Sequence, residues 1–144
     1  MMNRSQYEAA ICQHLPSARV VEFRKLSVGD WVPIVSECHK NVDKWVQENP
    51  GHRAVRGWVA YKECVLGENL GWELAAHSVV CDENGDLFDI TPIQDERLRP
   101  SMYFVPHIGD ERLHYQVVRA NIVERTDMWV IQGGDCTCLG EKCR

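Results

Sequence analysis

Three side chains in this sequence could divide one acyl-transfer reaction among them: Cys38, His77 and Asp89. Cys38 stands in "SECHKNVDKWVQENPG", where Cys38, Val42, Trp45 and Val46 recur at i, i+4, i+7 and i+8. That spacing predicts a helix with Cys38 in its first turn, on the side that faces the core. Ser36 is the expected N-cap, and Pro50-Gly51 the stop. A helix start carries partial positive charge and unpaired amides. Both favour thiolate over thiol, and the same amides can hold an oxyanion. His77 interrupts the apolar run "WELAAHSVVC", and Asp89 precedes Ile90-Thr91-Pro92. In such a set the thiolate attacks a carbonyl, the imidazole moves the proton and the carboxylate fixes the imidazole tautomer. The plainer alternative is a core histidine followed by a strand-end turn.

Strand register decides whether His77 and Asp89 can meet. A two-residue Asn84-Gly85 hairpin sets Asp89 opposite Val80. His77 is then three residues away along the strand, roughly 10 Å at about 3.3 Å per residue. Contact requires a wider loop or bulge over residues 81–85, longer than the obvious turn; a G1 bulge at Gly85 shifts the register by only one residue.

The surrounding elements follow from periodicity. "SQYEAAICQHL" reads as a first helix, with Ser5 and Glu8 as a capping box and Pro16 at its end. "RVVEFR" is a short strand or loop, and "SVGDWVP" carries turn residues. After residue 53 the period changes to two. Strands are predicted over 54–66, 72–81, 86–91, 101–107, 112–124 and 128–132, the first three forming an antiparallel meander. The expected fold is α+β: N-terminal helices packed on an antiparallel sheet of about five to six strands. Residues 1–132 form one domain, and residues 133–144 a cysteine-containing tail.

The stretches "CHKNVDKWVQENP", "VRGWVAY" and "WELAAHSVVCDENGDLFDITP" resemble the small papain-like and transglutaminase-like cysteine hydrolases, over residues 36–92. Bacterial members of that superfamily show a Cys-aromatic-x-Asn-Ala helix start, an aromatic-Glu-Gly-aromatic strand, a His-Ala-Trp strand and a strand ending in Asp-Pro-Thr. The matches here are Cys38 and Asn41, Gly57 and Trp58, His77 and Val79, Gly85, and Asp89 with Thr91 and Pro92. The resemblance implies a papain-like core, with Cys38 as nucleophile, His77 as base and Asp89 as its orienting group. Ser78 stands where Ala-Trp begins in the family, and Ile90-Thr91-Pro92 replaces Pro-Thr. "DWVPIVSE" lacks the glutamine that completes papain's oxyanion hole, so a backbone amide or Trp31 is left for that role.

The other candidates have plainer readings. His39 should point away from Cys38 into solvent. His107 is the alternative base. His114 reads as a surface residue of a strand. Asn41 either supports the site through backbone hydrogen bonds or is an exposed helix polar. Trp72, like Trp45 and Trp58, is most simply core, though it could wall a substrate cleft. Cys136, Cys138 and Cys143 form C-x-C-x4-C, similar to the C-terminal zinc tail of the Sec-C type. Only three ligands are local, whereas zinc prefers four, so a tail of reducible thiols is favoured and no metal site is assigned.

The 144 residues carry a net charge of −5, with 44% hydrophobic and 26% charged residues. That balance suits one globular domain and argues against nucleic acid or an anionic membrane as partner. No apolar run approaches a membrane span, and the N-terminus lacks a signal-peptide core. Seven cysteines without a framework spacing argue for a reducing, cytoplasmic setting. The expectation is a cysteine hydrolase or acyltransferase. It would act on a small-molecule or peptide acyl substrate (amide, ester or thioester) and need no cofactor. Oligomeric state is left open. The rivals are a non-catalytic adaptor of the same fold and a zinc-binding interaction module built on the tail.

Overall fold

The computed structural model describes residues 2–65, 68–116 and 128–132, with side chains described outside Cys12, 61–73 and 128–132. The main elements are two long helices and seven strands, α1 (Arg4–His14), β1 (Arg19–Val20), β2 (Glu22–Phe23), α2 (Cys38–Glu48), β3 (Arg53–Val65), β4 (Glu68–Cys81), β5 (Leu87–Asp89), β6 (Tyr103–Pro106) and β7 (Met128–Gln132), with shorter helical turns between them. The architecture is mixed α+β.

The strand order is β1-β6-β3-β4-β5-β2, with β7 also paired to β4. β1 and β2 stand at opposite ends of that order, yet only Val21 separates them in the chain. One extended segment therefore joins both edges, and the sheet curls toward a barrel. Val21 packs inside it with Val79 and Phe104. The two helices cover the outer face. Tyr7, Ile11 and Leu15 of α1 bury Trp58, Ala60 and Leu74. Val42 of α2 packs on Val80, Phe88 and Ile90.

Several expectations need correcting. The pairing is not wholly antiparallel, because β2 runs parallel to β5. The helical segments are not only N-terminal. A 3₁₀ helix spans Glu96–Ser101, and residues 111–116 are helical where a strand over 112–124 was expected. The physical reason lies in "IGDE": Gly109 takes a left-handed turn (φ +88°), and Asp110 Oδ1 accepts from the Arg112 amide, as an N-cap does. Residues 117–124 and the tail 133–144 lie outside the described residues. The capping box of α1 sits two residues earlier than expected. Asn3 Oδ1 accepts from the Gln6 amide and Gln6 Oε1 from the Asn3 amide, both at 2.9 Å.

The β4–β5 connection is the wider loop that contact demands. Cys81 pairs with Leu87 and Val80 with Phe88. Asp82 N donates to Asp86 O, and Gly85 N to Asp82 O. Gly85 is left-handed at φ +86°. This is a three-residue loop with a G1 bulge, which Asp82 Oδ1 braces by accepting from the Asn84 and Asp86 amides. By the ladder Asp89 falls opposite Val79, one residue from the tight-hairpin register. A one-residue slip moves every side chain to the other face of the strand. Here it moves Asp89 onto the His77 face.

Candidate functional site

Helix α2 begins at Cys38, which is 8% exposed. Its N-cap is Glu37, not Ser36, and no side chain caps it. Ser36 instead turns the chain with φ +64°, a left-handed conformation rare for a residue with a side chain. That turn is held from both sides, by Ser36 N on Pro92 O and by Glu37 N on Ile34 O.

Asn41 explains why the approach to Cys38 is fixed. It is 1% exposed, and its amide spans Ile34 completely, accepting from the Ile34 amide and donating to the Ile34 carbonyl. Asn41 Nδ2 also donates to Thr91 Oγ1 at 3.1 Å. One side chain thus ties the loop before Cys38 to the segment after Asp89. Asn41 is a buried support rather than an exposed helix polar.

His77 projects from β4 opposite Gly57. A Cβ on Gly57 would lie 2.3 Å from Val105 O and 2.6 Å from the Phe104 ring. The glycine therefore lets Phe104 close over the strand beside His77, ring centroids 6.3 Å apart. His77 Nε2 is 2.6 Å from Asp89 Oδ2, in a buried contact. With Nε2 engaged, Nδ1 is the ring nitrogen left free for another partner, and the nearby Cys38 thiol is among the groups that raise the ring's pKa. Cys38 Sγ also lies 4.0 Å from Ala76 O. Along that edge of β4, β7 pairs at residues 71–75 and β5 at 80–81. The helix start meets the strand between them.

The electrostatics follow from this placement. Burial by itself pushes the His77 imidazole down. The Asp89 and Cys38 hydrogen bonds, with the charges of both partners, outweigh burial and raise it to about 10. A raised pKa favours the protonated ring, which Asp89 Oδ2 faces at Nε2.

Arg99 was not picked out from the sequence. Its Nη1 donates to Asp89 Oδ2 at 3.1 Å and its Nη2 to Thr91 O, while Glu96 takes two further bonds. Its guanidinium stacks 4.2 Å from the Phe23 ring centroid. Asp89 Oδ1 accepts from the Thr91 amide. The carboxylate is thus held by three donors. No pattern in the sequence marks Arg99, because its partners lie on β2, β5 and its own 3₁₀ turn.

The remaining candidates sort as follows. His107 does not approach as a base: its Nδ1 faces the Tyr7 hydroxyl and its Nε2 the Asp110 carbonyl, each at 2.6 Å. His39 is not a bare surface residue, since its Nδ1 meets Ser78 Oγ at 2.5 Å. His114 is fully buried and bonds Gly57 O through Nε2. Trp72 lies five residues along β4 from His77, about 16 Å of strand at 3.3 Å per residue, and its side chain is not among the described ones. Trp31 is half-buried, and its backbone pairs with Val28.

Behind His77 a void of about 10 Å³ is lined by Val21, Asp89, Arg99, Met102 and Phe104, among others. It is roughly one water in size. Among the described residues no group of three or more His, Cys, Asp or Glu is placed to hold a metal ion. Cys136, Cys138 and Cys143 lie outside them. No helix among the described residues is long and apolar enough to cross a membrane. Compared with protein-family models, curated proteins and solved structures, the chain finds no match in any of the three.

Proposed function

We propose that this chain is a cysteine-dependent hydrolase or acyltransferase of papain-like or transglutaminase-like type, with Cys38, His77 and Asp89 as its triad. The observation that carries the reading is the buried 2.6 Å contact between His77 Nε2 and Asp89 Oδ2, with the Cys38 thiol at the start of α2 lying 4.0 Å from the carbonyl of Ala76, the residue before His77.

The chemistry would run in two halves. The Cys38 thiolate attacks the carbonyl carbon of an amide, ester or thioester, forming a C–S bond. The oxyanion falls toward the Cys38 amide at the uncapped helix start. The His77 imidazolium gives its proton to the leaving nitrogen, oxygen or sulfur, and the bond to that atom breaks. Water, or an acceptor nucleophile, then loses a proton to His77 and attacks the thioester, releasing the acyl product and the thiolate. Asp89 holds Nε2 and the imidazolium through both halves.

The test is thiol reactivity with residue mapping. Iodoacetamide at pH 6 to 7 should label Cys38 ahead of the other six cysteines, and Cys38→Ala should abolish turnover of activated ester and thioester probes. Removing so small a side chain should leave melting nearly unchanged. Should Cys38 react no faster than an ordinary thiol, and no acyl probe turn over, the catalytic reading fails and a binding protein of this fold replaces it.

A further inference from the structure

Two consecutive residues of α2 lie against consecutive positions of β4. Cys38 Sγ lies 4.0 Å from the carbonyl of Ala76, the residue before His77, and His39 meets Ser78. Neighbouring residues of a strand point to opposite faces. The helix start therefore straddles the strand, with the nucleophile on one side and His39 on the other.

The second contact belongs to a closed ring of polar groups. Arg56 Nη1 donates to Ser78 Oγ at 2.9 Å. The Ser78 hydroxyl also meets His39 Nδ1 at 2.5 Å, with the direction set by the imidazole tautomer. Arg56 Nη2 returns to α2 at Asp43 Oδ1, 2.7 Å away and one helical turn beyond His39. Ser78 is fully buried, and the Arg56 side chain is 9% exposed. Glu111 Oε1 adds a longer ion-pair contact, 3.4 Å from Arg56 Nε. His39 and Asp43 on α2, Arg56 on β3 and Ser78 on β4 are thereby joined beside the nucleophile but on the opposite face of β4.

We propose that His39 and Ser78 are positioning residues for Cys38: their hydrogen bond, backed by Arg56 and Asp43, holds the start of α2 at the distance from β4 where the thiol reaches His77. The proposal rests on the triad reading above. Both act by fixing the one helical turn that carries it. A small outward movement of that turn lengthens the Cys38–His77 contact while leaving the Val42 packing intact, because Val42 lies a turn further on.

The test is the pH profile of Cys38 alkylation by iodoacetamide in the full chain, with His39→Leu, Ser78→Ala and His39→Asn. Asparagine presents its amide, with both a donor and an acceptor, where the imidazole has Nδ1, so His39→Asn keeps a partner for the Ser78 hydroxyl. The expected result is an alkylation rate at pH 6 to 7 lower by about tenfold in His39→Leu and Ser78→Ala. In both, the profile should move toward the ordinary thiol value of about 8.5, and His39→Asn should recover most of the loss. Unchanged profiles in folded His39→Leu and Ser78→Ala overturn the proposal. If Ser78→Ala melts too low to assay, position 39 decides alone: His39→Gln carries its amide further out, and identical profiles for His39→Asn and His39→Gln overturn it. The two levels stay separate. The wild-type profile tests the triad, and the difference between variant and wild type tests the positioning.

Discussion

Asp89 spends its two oxygens differently, and that division tells what its loss should do. Oδ1 accepts from the Thr91 amide, a local turn bond, while Oδ2 is shared by His77 Nε2 and Arg99 Nη1. Both the local turn reading and the orienting reading of this residue are physically present in one carboxylate. Asp89→Asn keeps an oxygen for one set and loses the charge for the other. Removing that charge takes away a stabiliser of imidazolium, so the His77 pKa should fall from about 10. NMR titration of the ring follows this directly. An unmoved titration in a folded variant would detach Asp89 from the site. Activity should drop by less than the about 10⁴-fold seen for the equivalent swap in a serine triad, since a thiolate needs less help. Steady-state rates on an activated thioester probe check that bound.

At the scale of elements, two glycines carry separate burdens. Gly85 is left-handed at φ +86° with open space where a Cβ would go. Gly85→Ala should therefore cost about 1–2 kcal/mol of conformational strain and leave Cys38 reactivity close to wild type wherever the chain stays folded. Gly57 has an ordinary backbone but no room, with Val105 O and the Phe104 ring inside contact distance of a Cβ. Gly57→Ala should cost about 1–3 kcal/mol through overpacking and also slow alkylation of Cys38, because the displaced β3 pairs with β4 at His77. Denaturant melts paired with alkylation rates distinguish the two. Equal loss of reactivity in both variants would show that general loosening, not the β3–β4 contact, governs the site.

At the scale of the whole molecule, two buried histidines set opposite limbs of the stability profile. The folded His77 pKa is raised from 6.5 to about 10. The folded state then binds more protons than the unfolded chain between those values, and stability falls as pH rises through them. His114 is lowered from 6.5 to about 4, by burial first and then by the charges of His107, His39 and Arg56, against its bond to Gly57 O. Its Nδ1 has no partner among the described residues. There the unfolded chain binds more protons, so stability falls as pH drops from 6.5 toward 4. The melting temperature should peak near pH 6 to 7. His77→Gln should flatten the alkaline limb and His114→Gln the acid limb, as measured by thermal melts across pH 4 to 10. An acid limb that keeps its slope in His114→Gln would assign it to carboxylates instead.

Local chemistry in the sequence was enough to place Cys38 in the first turn of a helix, though not its cap, and to give the β3–β4 pair and the residue types for a thiol reaction. Each of these depends on periodicity or on turn residues within a few positions. The 3.6-residue spacing of Cys38, Val42, Trp45 and Val46 determines one buried helix face wherever that helix packs. The same local logic failed where a cap outweighed alternation, as at Asp110, where an apparent strand begins as a helix and carries His114 inward. What only the tertiary structure decided is contact between distant segments. Residues 19–23 join both edges of the sheet and curl it, Arg99 reaches Asp89 from a later turn, and His39 finds Ser78 across the helix–strand boundary. The register of Asp89 lies between these cases. "DENGD" allows a two-residue turn and a bulged three-residue loop that differ by one residue in pairing. Burying Phe88 on α2 while Asp89 meets His77 and Arg99 selects the bulged form, because both faces of β5 are satisfied only in that register.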